Sequence, residues 1–572
     1  MKKLRFLSVL LVSVFVVSLT ACAGGGGAAG AAGTREDMIL RIAIEQDIET
    51  LDSQQNTAAF TTSVGEGIHE AMLRLHNGVI VPGMAYDWHT TDYQTWTFNI
   101  RENAMWADGT PITAHCFEFS HKEIFHRPEA SKVYIMFNGV KNYSNIMAAM
   151  SDGLEGDALR QVTDTLGVTA LDDRTLQVVL ENPDAAFIEM FAHPAWAPIH
   201  RELWEQHGAN YGSSAASIAA NGPFQIREWR FAEMVVLERN PNYWNYDNIS
   251  LDLVEIHIVR DVEPRVNLFR EGRVHSARAT GEHFEVMPQY LYSIEGSSWG
   301  YILVNMHRRN AEGELVNEDI SNLLANRNFV NALSHSIDRE ALYTRTITNP
   351  GINPATMVIP GTINSNNVAR QTFSELRYCS GIHPLNADPD RAQAYLQAAM
   401  NELGITSVSD IPEIRLVVAS IAEPMTIAEF VSHSVSQTLG INVSPEPIEF
   451  GVRDARIISG DYDLLIMGWG TSRNDGISFL NVWASNLFAT GWPEAFPAQH
   501  SAYVDLIDQI TNAPNPDERT RLMLEAEQVI LQQGPFIPMS FTGDTILRQP
   551  GIGNFHLRQF GALYDYVFAY LY

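Results

Sequence analysis

The run DLLIMGW, Asp463 to Trp469, is uninterrupted in its apolar character from Leu464 onward. A strand with one wet face alternates polar and apolar side chains, so a run without alternation belongs to a strand covered on both faces. That demands a layered architecture, with helices or a second layer on each side of a sheet. Elsewhere the pattern does alternate: Leu40, Ile42 and Ile44 in LRIAIEQD, and Trp96, Phe98 and Ile100 in WTFNI, predict half-buried strands. Helices are interspersed. Asn515 is a good N-cap, Pro516 suits the first helical position, and Asp517 and Glu518 suit the positive end of the dipole. Leu522, Ala526, Val529 and Ile530 then make an apolar stripe up to Gly534-Pro535, predicting a helix from Pro516 to about Gln533. A second helix is expected from about Arg327 to Ser336, with Val330, Leu333 and Ile337 on one face, before Asp338 starts another. The fold class is α/β.

The chain begins MKKLRFLSVLLVSVFVVSLTAC: three cations, an apolar stretch, small residues, then Cys22. This is the layout of a secretory leader. From Phe6 to Ala21 it falls short of the ~20 residues that cross a bilayer core. Leu19-Thr20-Ala21-Cys22 resembles the bacterial lipobox, which implies cleavage before Cys22 and lipidation of that cysteine. The Gly/Ala-rich stretch to Arg35 reads as a flexible tether. Its GGGAAG matches a dinucleotide-binding fingerprint only formally, since no strand precedes it and no helix follows.

Beyond the leader, about 550 residues are too many for one core, so two or three domains are expected. No internal repeat is evident. The net charge of −29 excludes nucleic acid, which needs a basic footprint, and makes the lipid rather than the protein surface the means of membrane attachment. Cys116 and Cys379 are the other two cysteines, weak grounds for a disulfide. His115, His121 and His126 fall in a helical stretch but not on one face, and are expected as surface histidines rather than metal ligands. No G-x-S-x-G, H-E-x-x-H or P-loop pattern occurs.

PGMAYDWHTTDYQTWTFNIRENAMWADGTPITAHCFEFS (82–120) resembles the signature region of the family 5 solute-binding proteins, the extracytoplasmic peptide- and nickel-type receptors of ABC importers. Pro82, Trp88, the strand Trp96 to Arg101 and Trp106-Ala107-Asp108-Gly109-Thr110-Pro111-Ile112-Thr113-Ala114 match its successive parts. In physical terms Asp108-Gly109 is a tight turn and Thr113 a helix cap. Further resemblances follow in the family's order: NGPFQIREWRFAEMVVLERNPNYWN (221–245), RVNLFREGRVH (265–275), YILVNM (301–306) with FVNALSHSIDREAL (329–342), GDYDLLIMGWG (460–470), and EAEQVILQQGPFIPMSF (525–541).

The resemblance implies a two-lobed, periplasmic-binding-protein-like fold of type II and the large class, with an extra subdomain inserted in the first lobe. Lobe one is expected at 36–75, 205–295 and 541–572, the insert at 76–204, and lobe two at 296–540. It further implies a receptor outside the cytoplasmic membrane that closes over a peptide or other small oligomeric solute and presents it to an ABC permease. No cofactor, metal or catalytic residue is expected, and the protein is expected to be a monomer. Family members that bind peptides place an Asp three residues after the pocket tryptophan; with Trp469 in that role the position is Ser472, which cannot neutralise an ammonium group. Asp475 is the candidate substitute, and Arg473 either receives a carboxylate or pairs with Asp475. Tyr301, Asn305, Glu45 and Thr57 complete the candidate pocket. The same clamp also suits an oligosaccharide or another non-peptide solute, or a peptide-signal sensor. An anchored hydrolase is the remaining class, which predicts turnover of an oligomeric substrate.

Overall fold

In the computed structural model, which describes residues 38–572 apart from 56, 57, 311–313, 348, 367–370, 377–380, 472, 486 and 514, the strand Ile39–Ile44 lies inside a seven-stranded sheet. The order across that sheet is Leu291–Ser293, Thr545–Arg548, Ser276–Ala277, Ile39–Ile44, Leu253–Ile258, Met234–Arg239, Phe224–Arg230. Ile39–Ile44 pairs in parallel with Leu253–Ile258 on one side and with Ser276–Ala277 on the other. The crossover between those two neighbours is the helix Val262–Arg270. Leu40, Ile42 and Ile44 are buried as their alternation requires, but Ala43 is buried too. It packs among Val266, Phe269 and Leu547, so this strand is covered on both faces rather than half-buried. Alanine carries too little hydrophobic weight to reveal that second face in the sequence.

A six-stranded sheet forms the core of the other lobe, in the order Ile352–Pro354, Phe536–Thr542, Ser298–Val304, Leu464–Gly470, Ile414–Ala419, Val443–Ile448. One face carries Tyr301, Leu303, Val417 and Leu465, the other Ile302, Val304, Leu416 and Leu464, each against its own helical layer. The run 463–469 is thus a strand in a doubly covered sheet, but only its first half is buried on both faces. Leu464 and Leu465 are inaccessible, whereas Ile466, Met467 and Trp469 are half-exposed and Gly468 and Gly470 exposed. The reason is pairing: Ile414–Ala419 accompanies it only at Leu464 and Leu465, while Ser298–Val304 stays with it as far as Gly470.

A third, four-stranded sheet, Ala85–His89, Thr95–Ile100, Thr175–Val179 and Val168–Ala170, has its own aromatic core around Phe98, Phe137, Phe191 and Trp196. The helix Ala114–Glu123 packs here. Contrary to the expectation of surface histidines, His121 is wholly buried, its Nε2 3.1 Å from the Trp196 carbonyl, and burial lowers its pKa to about 4. His126 is half-buried and meets Thr163 Oγ1 at 2.9 Å; His115 is exposed. A neutral histidine inside an aromatic cluster looks, in sequence, like any polar residue.

Two antiparallel chain segments run from one large sheet to the other. Leu291–Ser293 leads to Ser298–Val304, and Phe536–Thr542 leads back to Thr545–Arg548. Between them Gly296 lies against Thr542 and Gly543, so closely that a Cβ at Gly296 would overlap the Thr542 carbonyl. No helix among the described residues is long and apolar enough to cross a membrane.

Candidate functional site

Trp469 sits at the open end of its strand, its indole N–H donating to the Ser478 carbonyl at 2.9 Å and its ring edge-on to Phe488. The chain then turns through Arg473, Asn474 and Asp475 and meets the segment that follows the four-stranded sheet. The Arg473 guanidinium donates to Asp184 Oδ2 at 2.6 Å and lies 4.0 Å from Asp475. Burial opposes its charge, but Asp184 and Asp475 outweigh that and hold its pKa above the ordinary value. Asp475 is nearly inaccessible. Both of its oxygens accept from Arg519 of the helix Pro516–Gln533, at 2.9 and 2.8 Å, and Oδ1 also faces the Ile477 N–H at 3.4 Å. Burial again works against the charge; Arg519 and then Arg473 more than compensate, and the Asp475 carboxyl stays below the usual carboxylate range. Four charges of alternating sign, Asp184, Arg473, Asp475 and Arg519, therefore run along this seam.

One turn further, Glu189 faces the same loop. Its Oε2 accepts from the Asn474 N–H at 3.2 Å and its Oε1 from Asn364 Nδ2 at 3.1 Å. Asn474 Oδ1 in turn accepts from the Asn364 N–H at 2.8 Å, locking the two donors together. Burial, with only partial relief from these neutral donors, pushes the Glu189 carboxyl up to about 8. A cleft of about 340 Å³ opens beside the charge ladder, with Asn138, Glu181, Asp184, Phe187, Arg473 and Arg519 among its walls.

Of the residues selected in sequence, Arg473 and Asp475 come together here, with Trp469 at the end of the strand that leads into their loop. Tyr301 does not: it is 1 % exposed, its ring tilted against Trp299 and edge-on to Trp483 and Phe536 in the sheet core. Asn305 is fully buried and spends its amide on the Gly460 and Tyr462 carbonyls at 2.8 and 2.9 Å and on the His307 N–H. Glu45 pairs with Arg278 at 3.0 Å, where the first strand ends. Thr57, Ser472, Cys22 and Cys379 lie outside the described residues. Asp184, Glu189, Asn364 and Arg519 were not foreseen. Asn182-Pro183 marks a turn before Asp184, but nothing local marks a partner 289 residues away.

Residues 79–490 match the family model described as bacterial extracellular solute-binding proteins, family 5 Middle. The oligopeptide-binding protein OppA of Bacillus subtilis (strain 168) is 24% identical over 585 residues, covering 98% of this chain and 99% of that protein. Among solved structures, the unliganded open form of the periplasmic murein tripeptide binding protein MppA superposes with a TM-score of 0.71 at 21% identity, covering 91% of this chain and 94% of that one. Listeria monocytogenes OppA bound to peptide superposes at 0.66 and 21% identity, over 94% of this chain and 99% of that one.

Proposed function

Since the chain belongs to the bacterial extracellular solute-binding proteins of family 5, we propose that it captures peptides between its two lobes and delivers them to an ABC permease. The observation that carries this reading is the strand Leu464–Gly470, paired on one side along its length and on the other only to Leu465. A peptide laid along that unpaired edge adds a strand, its amides bonded to main chain and its side chains turned into the cleft. Such binding draws on the main chain and tolerates Ser472 at the position where the family's peptide binders carry Asp. That relatives spanning almost the whole chain are oligopeptide-binding proteins supports the same ligand class.

Lobe one is assigned to 36–75, 205–295 and 541–572, the insert to 76–204 and lobe two to 296–540, a division supported by the membership of the three sheets. Closure brings the insert and lobe two together at the Asp184–Arg473 seam, and the closed form is what the permease receives. Cys22 carries the lipid that keeps a monomeric receptor at the outer face of the membrane, and the protein turns nothing over.

Native mass spectrometry of the purified protein, followed by denaturation to release its cargo, tests the reading. A heterogeneous set of short peptides is expected. A sugar, a metal chelate or no cargo overturns it.

A further inference from the structure

Several buried carboxylates in this chain meet arginines. Asp52 pairs with Arg127, Glu66 with Arg558, Glu70 with Arg74 at 2.8 Å, and Asp475 with Arg519. Glu189 is different. Among the described residues its two oxygens are held by neutral donors alone, and no cationic nitrogen reaches it within ion-pair distance. Arg473 favours its ionisation, but that guanidinium is already committed to Asp184. Asp475 adds repulsion from the same loop.

The place is as telling as the missing partner. Glu189 stands where the turn Ala185–Ala192 meets residues 364 and 474 of the six-stranded lobe, close to the exposed end of the strand bearing Trp469. It also walls a cavity of about 30 Å³ with Glu66, His193, Met190, Arg558 and Phe560. That volume holds about one or two groups the size of a water molecule or an ammonium. The basic groups of the cavity do not serve Glu189: Arg558 is engaged by Glu66 and the Leu75 carbonyl. Burial, and then Arg558 itself, lowers the His193 pKa to about 4, leaving that ring neutral. A carboxylate taken out of water ionises when a cation comes with it.

We propose that Glu189 receives a cationic nitrogen of the ligand, so that the clamp selects solutes bearing an ammonium or guanidinium group. This rests on the peptide reading above, and the nitrogen belongs either to the peptide's amino terminus or to a basic side chain. Asn364 and Asn474 orient the carboxylate through one oxygen each, leaving its remaining lone pairs for the ligand.

Isothermal titration of the purified protein with three pentapeptide pools tests the assignment: one free of Lys and Arg with a free amino terminus, the same pool N-acetylated, and an acetylated pool containing one Lys per peptide. The wild-type protein should lose at least tenfold in affinity on acetylation, and recovery with the Lys pool would identify a basic side chain as an alternative source of the cation. Glu189→Gln, with an unchanged melting temperature, should bind the free and acetylated pools alike. Equal binding of all three pools by the wild-type protein overturns the assignment while leaving peptide capture standing; so does a Glu189→Gln variant that keeps the full acetylation penalty. Failure of every pool to bind the wild-type protein overturns the peptide reading and this assignment together.

Discussion

At Asp475 two oxygens are spent on one arginine, at 2.9 and 2.8 Å, and a second arginine stands 4.0 Å away. A carboxylate so engaged holds the loop in shape, and using it for a ligand's ammonium group would mean breaking the Arg519 pair. Asp475→Ala leaves Arg519 without its counter-charge, and breaking a largely buried pair from one side costs about 3–5 kcal/mol. The denaturation midpoint should fall accordingly with an unchanged m-value, and peptide affinity should change far less than stability. The pH dependence has a definite sign. The folded-state pKa of Asp475 is depressed, so its contribution is present above the unfolded aspartate value of ~3.9 and is lost as pH falls through the folded value. Glu189 and Asp475 also show why the site was only partly legible in sequence. Arg473 and Asp475 lie on the loop that follows Trp469 and could be singled out from that neighbourhood. The partners of Glu189 are 175 and 285 residues away, and no local pattern encodes contacts so distant in the chain.

The elements divide in the same way. The helix Pro516–Gln533 begins and ends where its capping residues place it, with Asn515 Oδ1 accepting from the Glu518 N–H at 2.9 Å. Everything that defines it lies within one turn of each end. Asn515→Ala should lower stability by about 1 kcal/mol, and hydrogen exchange at the amides of the first turn should accelerate before the rest of the helix is affected. The strand Leu464–Gly470 was legible as a strand in a covered sheet, but not where its cover stops. Ile466 and Met467 are as apolar as Leu464, yet pairing with Ile414–Ala419 has already ended before them. Hydropathy reports what a side chain prefers and is silent about where its neighbour diverges.

For the molecule as a whole, the closure proposed above turns on the narrow passage at Gly296 and Gly543. Gly296→Ala forces the two connecting segments apart, since the added methyl would overlap the Thr542 carbonyl. Small-angle scattering should then show no ligand-induced compaction, although each lobe keeps its own core. Replacement of Cys22 by Ala should move the protein from the membrane fraction to the soluble fraction, read by immunoblot of fractionated cells. The seven-stranded sheet has one more consequence. Its strand Ile39–Ile44 comes from the start of the described chain and Thr545–Arg548 from near the end. Ser63 Oγ accepts from the Leu563 and Tyr564 amides at 2.8 and 3.1 Å, a span of 500 residues for the former. Contacts so distant in sequence form late. During synthesis the seven-stranded sheet therefore cannot close until Thr545–Arg548 has been made, and the first strand stays without its full complement of neighbours until then.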